Sequence, residues 1–364
     1  MEKMLGFGCM RLPMKKMEVD YDEFNKMIDY YLDNGFNYFD TAHGYINGKS
    51  EIAIGECLSK RYDRSKFILT NKLTDSYFRK EEDIVPFFNK QLEACGVDYF
   101  DYYLMHAQNR ENYKHFMKCN AYNVAKKLKE EGKIKHLGIS FHDTSDILEN
   151  ILKEHDEIEI VQIQFNYVDF KDPSVQSEKC YEVCRKYNKQ ILIMEPVKGG
   201  GLVRLPDEAK QVFDKLNNNL SYASYAIRFA ASFDGVYKVL SGMSDLEQMK
   251  DNVSYMKDFK KITDEERVAI DKVAGILKSL GGIPCTACRY CVEGCPRNIK
   301  IPDLFACYNA KKQFNDWNSS MYYEVSTRDS GKASDCIQCG QCERICPQHI
   351  KIREKLEEVA EIFE

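Results

Sequence analysis

Eight of the fifteen cysteines in this 364-residue chain fall into two short runs of identical spacing. Cys285, Cys288, Cys291 and Cys295 precede Pro296, and Cys336, Cys339, Cys342 and Cys346 precede Pro347. Runs of the form C-x2-C-x2-C-x3-C-P hold [4Fe–4S] clusters through their thiolates. Cysteines three residues apart let one tight turn of chain reach three corners of a cube. The fourth, beside proline, points away and completes the other cube. One cluster is therefore expected on Cys285, Cys288, Cys291 and Cys346, and a second on Cys336, Cys339, Cys342 and Cys295. Structural zinc favours separate C-x2-C pairs over runs of four. A disulfide scaffold would be short and secreted. Of the scattered cysteines, Cys180 and Cys184 share a helical face, where packing explains them more simply than a metal.

A second constellation is acid–base in character. Asp40, Lys72 and His106 each close a β-rich run, and Tyr45 follows Asp40 in the next loop. His43, two residues before Tyr45, is a rival acid and is read as shaping the pocket. These residues are far apart in sequence and can act together only if the strand ends converge.

The elements that would bring them together are readable. Apolar runs at Leu5–Leu12, Phe36–Ala42, Phe67–Lys72, Tyr99–His106, His136–Ser140, Ile158–Asn166, Ile191–Pro196 and Tyr237–Gly242 alternate with segments of helical spacing. The latter are Asp22–Asn34, Ser50–Tyr62, Glu82–Cys95, Val124–Glu131, Thr144–His155, Ser174–Tyr187, Tyr222–Ala231 and Asp245–Phe259. Eight strand–helix units over about 250 residues predict an α/β fold, a (β/α)8 TIM barrel, whose strand C-termini share one face. An open doubly wound sheet would place a glycine-rich phosphate loop after Leu5–Leu12, and none follows. A helix ending near Leu280 and the break Gly281-Gly282-Ile283-Pro284 put the barrel at 1–280 and a small domain at 281–364. In that domain Cys295-Pro-Arg-Asn-Ile-Lys-Ile repeats as Cys346-Pro-Gln-His-Ile-Lys-Ile. Helical stretches Asp303–Lys312 and Arg353–Phe363 follow the two copies. The segment 313–332, with Trp317, Tyr322 and Tyr323, reads as polar and loop-like.

Composition narrows the function class. A net charge of -5 with no basic stripe argues against a nucleic-acid partner. No run approaches the ~20 apolar residues of a membrane span, and the first residues lack a signal-peptide core. A cytoplasmic protein is expected.

The motifs Asp40-Thr-Ala-His-Gly-Tyr45, Gly48-Lys-Ser-Glu51, Leu69-Thr-Asn-Lys72 and Tyr103-Leu-Met-His106 resemble the catalytic tetrad of the aldo-keto reductases, a likeness covering roughly residues 4 to 260. The 281–364 segment resembles α-helical dicluster ferredoxin domains. The resemblance implies an oxidoreductase that reduces an aldehyde or ketone with NAD(P)H, or oxidises an alcohol in reverse. Tyr45 would donate a proton to the carbonyl oxygen, its pKa of about 10 lowered by Lys72, which Asp40 holds in place. His106 would orient the carbonyl and help relay the proton. The likeness also places the nicotinamide amide on Ser140, Gln162 and Asn166. It places the pyrophosphate under Pro196, Gly199 and Gly200, and the adenosine half at Gly242, Met243, Ser244, Gln248 and Asn252. The sequence departs from the family at Phe141, Met194 and Asp245, where many members carry asparagine, an aromatic and an arginine respectively. The cofactors implied are two [4Fe–4S] clusters with NADP or NAD, a flavin being the alternative. The partners implied are a small carbonyl or alcohol and a redox protein such as a ferredoxin or flavoprotein. Two other functions compete: a cluster-fed or flavin-assisted redox enzyme that does not use nicotinamide hydride, and an electron carrier with a relict barrel.

Overall fold

The computed structural model describes residues 3–173, 175–217, 219–285, 289–346 and 350–364. The expected ligand Cys288 lies outside the described residues. The chain forms two compact units, one of Met1–Phe165, Lys179–Pro196 and Ala223–Ile262, the other of Asn166–Glu178, Val197–Tyr222 and Thr263–Glu364.

The first unit holds a closed barrel of eight strands. They are β1 (Leu5–Gly8), β2 (Tyr38–Asp40), β3 (Ile68–Leu73), β4 (Phe100–Gln108), β5 (Ile134–Phe141), β6 (Ile160–Gln164), β7 (Gln190–Met194) and β8 (Val236–Ser241). Each pairs in parallel with its neighbour in sequence, and β8 closes on β1 with Leu5 opposite Val239. All eight apolar runs became barrel strands. The interior is filled by Tyr38, Tyr102, Leu104, Ile160, Leu192 and Leu240, so the barrel is a packed core rather than a pore.

The local code is visible in the helix Tyr21–Asp33. Asp20 caps it by accepting from the Glu23 N–H. Its buried face, Phe24, Met27, Ile28 and Tyr31, meets β1 and β2, where the Phe7 and Phe24 rings lie 5.7 Å apart and those of Tyr31 and Phe39 5.4 Å apart. Gly35, past the helix end, takes the left-handed conformation expected of it, with φ 81°. The segment read as one helix over 50–62 is instead the helix Lys49–Ile54 running into a π-turn, Gly55–Ser59. Gly55 is required there, because a Cβ would stand 2.5 Å from the Ala94 carbonyl oxygen. The sequence pattern does not show the helices Arg110–Lys118 and Asp207–Asp214, nor the short ones Tyr290–Glu293 and Gln341–Ile345.

The second unit is mostly helical. Asp264–Ser279 opens with a reciprocal capping box between Thr263 and Glu266. Ile301–Phe314 and Ile352–Phe363 follow the two cysteine repeats. Their apolar faces share a core that includes Ile299, Leu304, Phe305, Leu356 and Val359. The loop expected over 313–332 is corrected: Asn318–Thr327 is a helix with Tyr322 and Tyr323 buried. Its polar composition hid it. Ser319 Oγ donates to the Asp316 carbonyl at 2.6 Å and Thr327 Oγ1 to the Tyr323 carbonyl at 2.9 Å, so these hydroxyls are satisfied within the segment and can be buried. Tyr323 stacks on Phe363 at 4.6 Å, and its hydroxyl accepts from the Ala333 N–H at 3.0 Å.

Candidate active site and cysteine-lined cavity

At the C-terminal ends of β2, β3 and β4 the structure brings four polar side chains together. Lys72 is fully buried, and its Nζ donates to Asp40 Oδ1 at 2.7 Å and to the Thr41 carbonyl at 2.8 Å. The same Nζ lies 4.8 Å from the centre of the Tyr45 ring. The Tyr45 and His106 rings are 6.1 Å apart. Register explains the convergence. Asp40 pairs with Thr70, two residues before Lys72, and Lys72 pairs with Leu104, two residues before His106, so the even steps of two keep the polar residues of consecutive strands on one side of the sheet at its C-terminal edge.

His106 reaches the site through an irregularity. The β4–β5 register slips between Met105 and Gln108, and Ala107 takes φ 50°. The Ala107 N–H, taken off the ladder, donates to Ser140 Oγ at 2.7 Å. A bulge of this kind re-aims the side chain beside it. The loop carrying Tyr45 is strained as well. Ile46 and Asn47 both have positive φ, a conformation costly for a β-branched residue.

Electrostatics corrects one expectation. Burial raises the Tyr45 phenol above its usual value, and the opposing pull of Lys72 does not cancel it. Burial also pushes Asp40 up against the pull of Lys72. For Lys72 burial works downward, and Asp40 and Tyr45 outweigh it, so its ammonium is held. His106 lies well below the usual histidine value through burial, with Lys72 and His142 adding to the effect. At neutral pH the site therefore holds an ammonium, a protonated phenol and a neutral imidazole. His106 Nδ1 is 2.7 Å from Thr74 Oγ1. When that hydroxyl donates, the imidazole proton sits on Nε2, available to a carbonyl oxygen.

Of the expected nucleotide residues, Ser140 and Gln162 are direct partners across β5 and β6. Ser140 Oγ accepts from Ala107, which leaves its own proton to donate. Gln162 is buried beside the Asp40 carboxyl and helps lower it. Asp40 Oδ2 itself is buried with no hydrogen-bond donor among the described residues. A hydroxyl donor and an amide side by side fit a carboxamide. Pro196 lies just after β7. Gly242, Met243, Ser244, Gln248 and Asn252 lie after β8, where Asn252 Nδ2 donates to Ser241 Oγ at 2.7 Å. Asn166, Gly199 and Gly200 fall in the second unit. There Asn166 Nδ2 donates to Asp169 Oδ2 at 2.7 Å. Lys198 is buried between Asp169 at 2.7 Å and Asp316 at 2.8 Å, so its charge is already balanced within the unit.

Also in the second unit, Cys295, Cys336, Cys339 and Cys342 line one cavity, with Ile299, Ile301 and Leu356 as apolar wall. The Ile299 N–H donates to Cys295 Sγ at 3.4 Å. The short helix Gln341–Ile345 begins after Gly340 in the left-handed conformation, which makes the turn between Cys339 and Cys342 tight. Four thiols round a cavity, with an amide aimed at one sulfur, fit a cube bound corner by corner. Cys285, Cys291 and Cys346 are described and border the same helical core. Among the described residues, no three His, Cys, Asp or Glu side chains close round a single ion. The remaining cysteines, Cys9, Cys57, Cys95, Cys119, Cys180, Cys184 and Cys307, are buried.

The sequence matches the family described as aldo/keto reductase over residues 4–274. The chain belongs to the aldo/keto reductase family. Residues 284–350 match a 4Fe-4S dicluster domain. An uncharacterized oxidoreductase, YqkF, of Bacillus subtilis is 24% identical over 73% of this chain and 90% of its own length. The NADH-specific methylglyoxal reductase of Escherichia coli is 28% identical over 46% of this chain and 54% of its own. Among solved structures, the aldo-keto reductase AKR11C1 of Bacillus halodurans in its holo form aligns with a TM-score of 0.60 and 26% identity over 74% of this chain and 91% of that one. A Klebsiella pneumoniae aldo-keto reductase in complex with NADPH aligns with a TM-score of 0.61 at 17% identity, over 74% and 90% respectively, a likeness of fold.

Behind the tetrad lies a polar network that the sequence pattern does not show. Glu51 is fully buried. Its Oε1 accepts from Asn71 Nδ2 at 2.8 Å and Gln91 Nε2 at 2.9 Å, and its Oε2 lies 2.5 Å from His43 Nδ1. Gln91 also donates to the Lys72 carbonyl at 3.1 Å and accepts from Tyr103 at 2.5 Å. The Lys72 N–H donates to Asn71 Oδ1 at 2.8 Å. The network thus fixes the strand from which Lys72 projects, and His43 is one of its members. Glu51 closes the Gly48-Lys-Ser-Glu51 motif, but its partners are scattered over 60 residues and only the fold assembles them. Arg11 was also missed; its side chain lies against Gly242.

Proposed function

We propose that the barrel reduces an aldehyde or ketone, or oxidises the alcohol in reverse, with NAD(P)H. The observation that carries this is the Asp40–Lys72 pair under the Tyr45 ring with His106 beside it, all at the strand ends where barrel active sites form. Bound nicotinamide would supply or accept the hydride. Tyr45 gives its phenolic proton to the carbonyl oxygen, and Lys72, held by Asp40, stabilises the phenolate left behind. His106, neutral, donates from Nε2 and orients the carbonyl. Ser140 and Gln162 hold the nicotinamide amide, and the loop after β8 takes the adenosine half.

We further propose a reductase domain over 1–280 and a dicluster domain over 281–364. The latter binds one [4Fe–4S] cluster on Cys336, Cys339, Cys342 and Cys295 and another on Cys285, Cys288, Cys291 and Cys346. Their electrons pass to or from a redox protein, in keeping with the exposure of Cys339 and Ile337. The place of action is the cytoplasm.

The test is anaerobic purification with iron and sulfide analysis, followed by turnover with NADH or NADPH and a panel of small aldehydes. The expected result is about eight irons per chain and one nucleotide oxidised per carbonyl reduced. Nucleotide-independent reduction driven by chemically reduced clusters would replace this reading with a cluster-fed one.

A further inference from the structure

We infer that the loop after β8 selects NADH over NADPH. The inference rests on the nucleotide reading above and narrows it to one cofactor.

Loops after the seventh and eighth strands of a barrel, with a helix N-terminus, commonly cradle a phosphate, because the first N–H groups of a helix have no acceptor within it. Here two of those donors, the Leu246 and Gln248 N–H groups, are already committed. Asp245 caps the helix Leu246–Met256: its Oδ1 accepts from the Gln248 N–H at 2.7 Å and its Oδ2 from Gln248 Nε2 at 2.7 Å. The Leu246 N–H donates to Glu23 Oε1 at 3.1 Å, and the Ser244 N–H to Gln248 Oε1 at 3.0 Å. The Ser244 hydroxyl donates to the Arg11 carbonyl at 2.9 Å. Two carboxylates therefore stand where a phosphate would dock.

The neighbouring cations are committed too. Arg11 reaches Glu195 at 3.5 Å, Lys26 pairs with Glu23 at 3.4 Å and Lys250 with Glu247 at 2.8 Å. Of the carboxylates in and against this helix start, Glu23 and Glu247 already hold Lys26 and Lys250, and Asp245 has no cation partner among the described residues. A ribose 2′-phosphate would bring up to about two further negative charges, would have to displace a carboxylate cap, and would meet repulsion from the other. A ribose 2′-hydroxyl does the opposite: it can donate to a carboxylate, the role an acidic residue plays in NAD recognition elsewhere.

The test is the affinity of the cluster-loaded full chain for NADH and NADPH, read anaerobically by nicotinamide fluorescence. NADH should bind about tenfold tighter or more, with the gap narrowing as salt screens it. Asp245→Asn retains a capping side chain and should shift the affinity ratio about tenfold towards NADPH. Glu23→Gln should shift it in the same direction, which guards against a misfolded first variant. Equal or tighter NADPH binding by the native chain would overturn the inference while leaving the reductase reading intact. So would a ratio unmoved in both variants. Failure to bind either nucleotide would overturn both.

Discussion

The barrel site and the cysteine-lined cavity solve the problem of burying reactive groups in opposite ways. In the barrel the charge is balanced by the protein itself: Lys72 on Asp40, and Glu51 on Asn71, Gln91 and His43. Such a site is preorganised before any ligand arrives. In the cavity, Cys295, Cys336, Cys339 and Cys342 share one lining, and the charge of their thiolates would be balanced by a bound cluster. Binding free energy at such a site is also folding free energy. The barrel should therefore tolerate losing its cofactor, whereas the helical module should not tolerate losing its iron.

Iron removal makes that contrast largest. Chelation under anaerobic conditions should collapse the second unit's helical signal and expose it to protease, while the barrel stays folded. Coincident loss of both would erase the distinction. Replacing Lys72 by Met comes next. It leaves Asp40 buried without its cation and should destabilise the barrel by roughly 3–5 kcal/mol in chemical denaturation, with cluster content unchanged.

A smaller effect belongs to pH. Burial holds His142 down to about 4 against an ordinary value near 6.5. The unfolded chain therefore takes up the proton first as pH falls. Stability is complete above pH 6.5 and declines by about 3 kcal/mol as pH approaches 4. His106 is depressed in the same direction. A denaturation series from pH 7 to 4 on the native chain and His142→Phe checks this, the variant losing less. Smallest is Glu51→Gln, which turns an acceptor for two amides partly into a donor and should cost roughly 1–3 kcal/mol. Its Tm should fall, and kcat should drop more than KM rises if the network positions Lys72.

What could be read in advance follows the same division. The eight strands announced themselves because buried parallel strands are near-continuous apolar runs, and their shared polarity implied that Asp40, Lys72 and His106 converge. The bulge at Ala107 was invisible, since nothing in Met105-His-Ala-Gln108 departs from strand composition. The Glu51 network was invisible because its partners come from different elements. The helix Asn318–Thr327 was misread because Ser319 and Thr327 bury their hydroxyls on backbone carbonyls, which periodicity does not register. The downward shift expected of Tyr45 failed because sequence shows the charged neighbour but not the depth of burial.

The most direct test of the central claim is stopped-flow oxidation of bound NADH by an aldehyde in the native chain and in Tyr45→Phe. The variant loses one hydroxyl and keeps the ring. If Tyr45 is the acid, its single-turnover rate falls roughly 10²–10⁴-fold while nucleotide affinity and iron content stay as in the native chain. An unchanged rate in the variant would contradict the account.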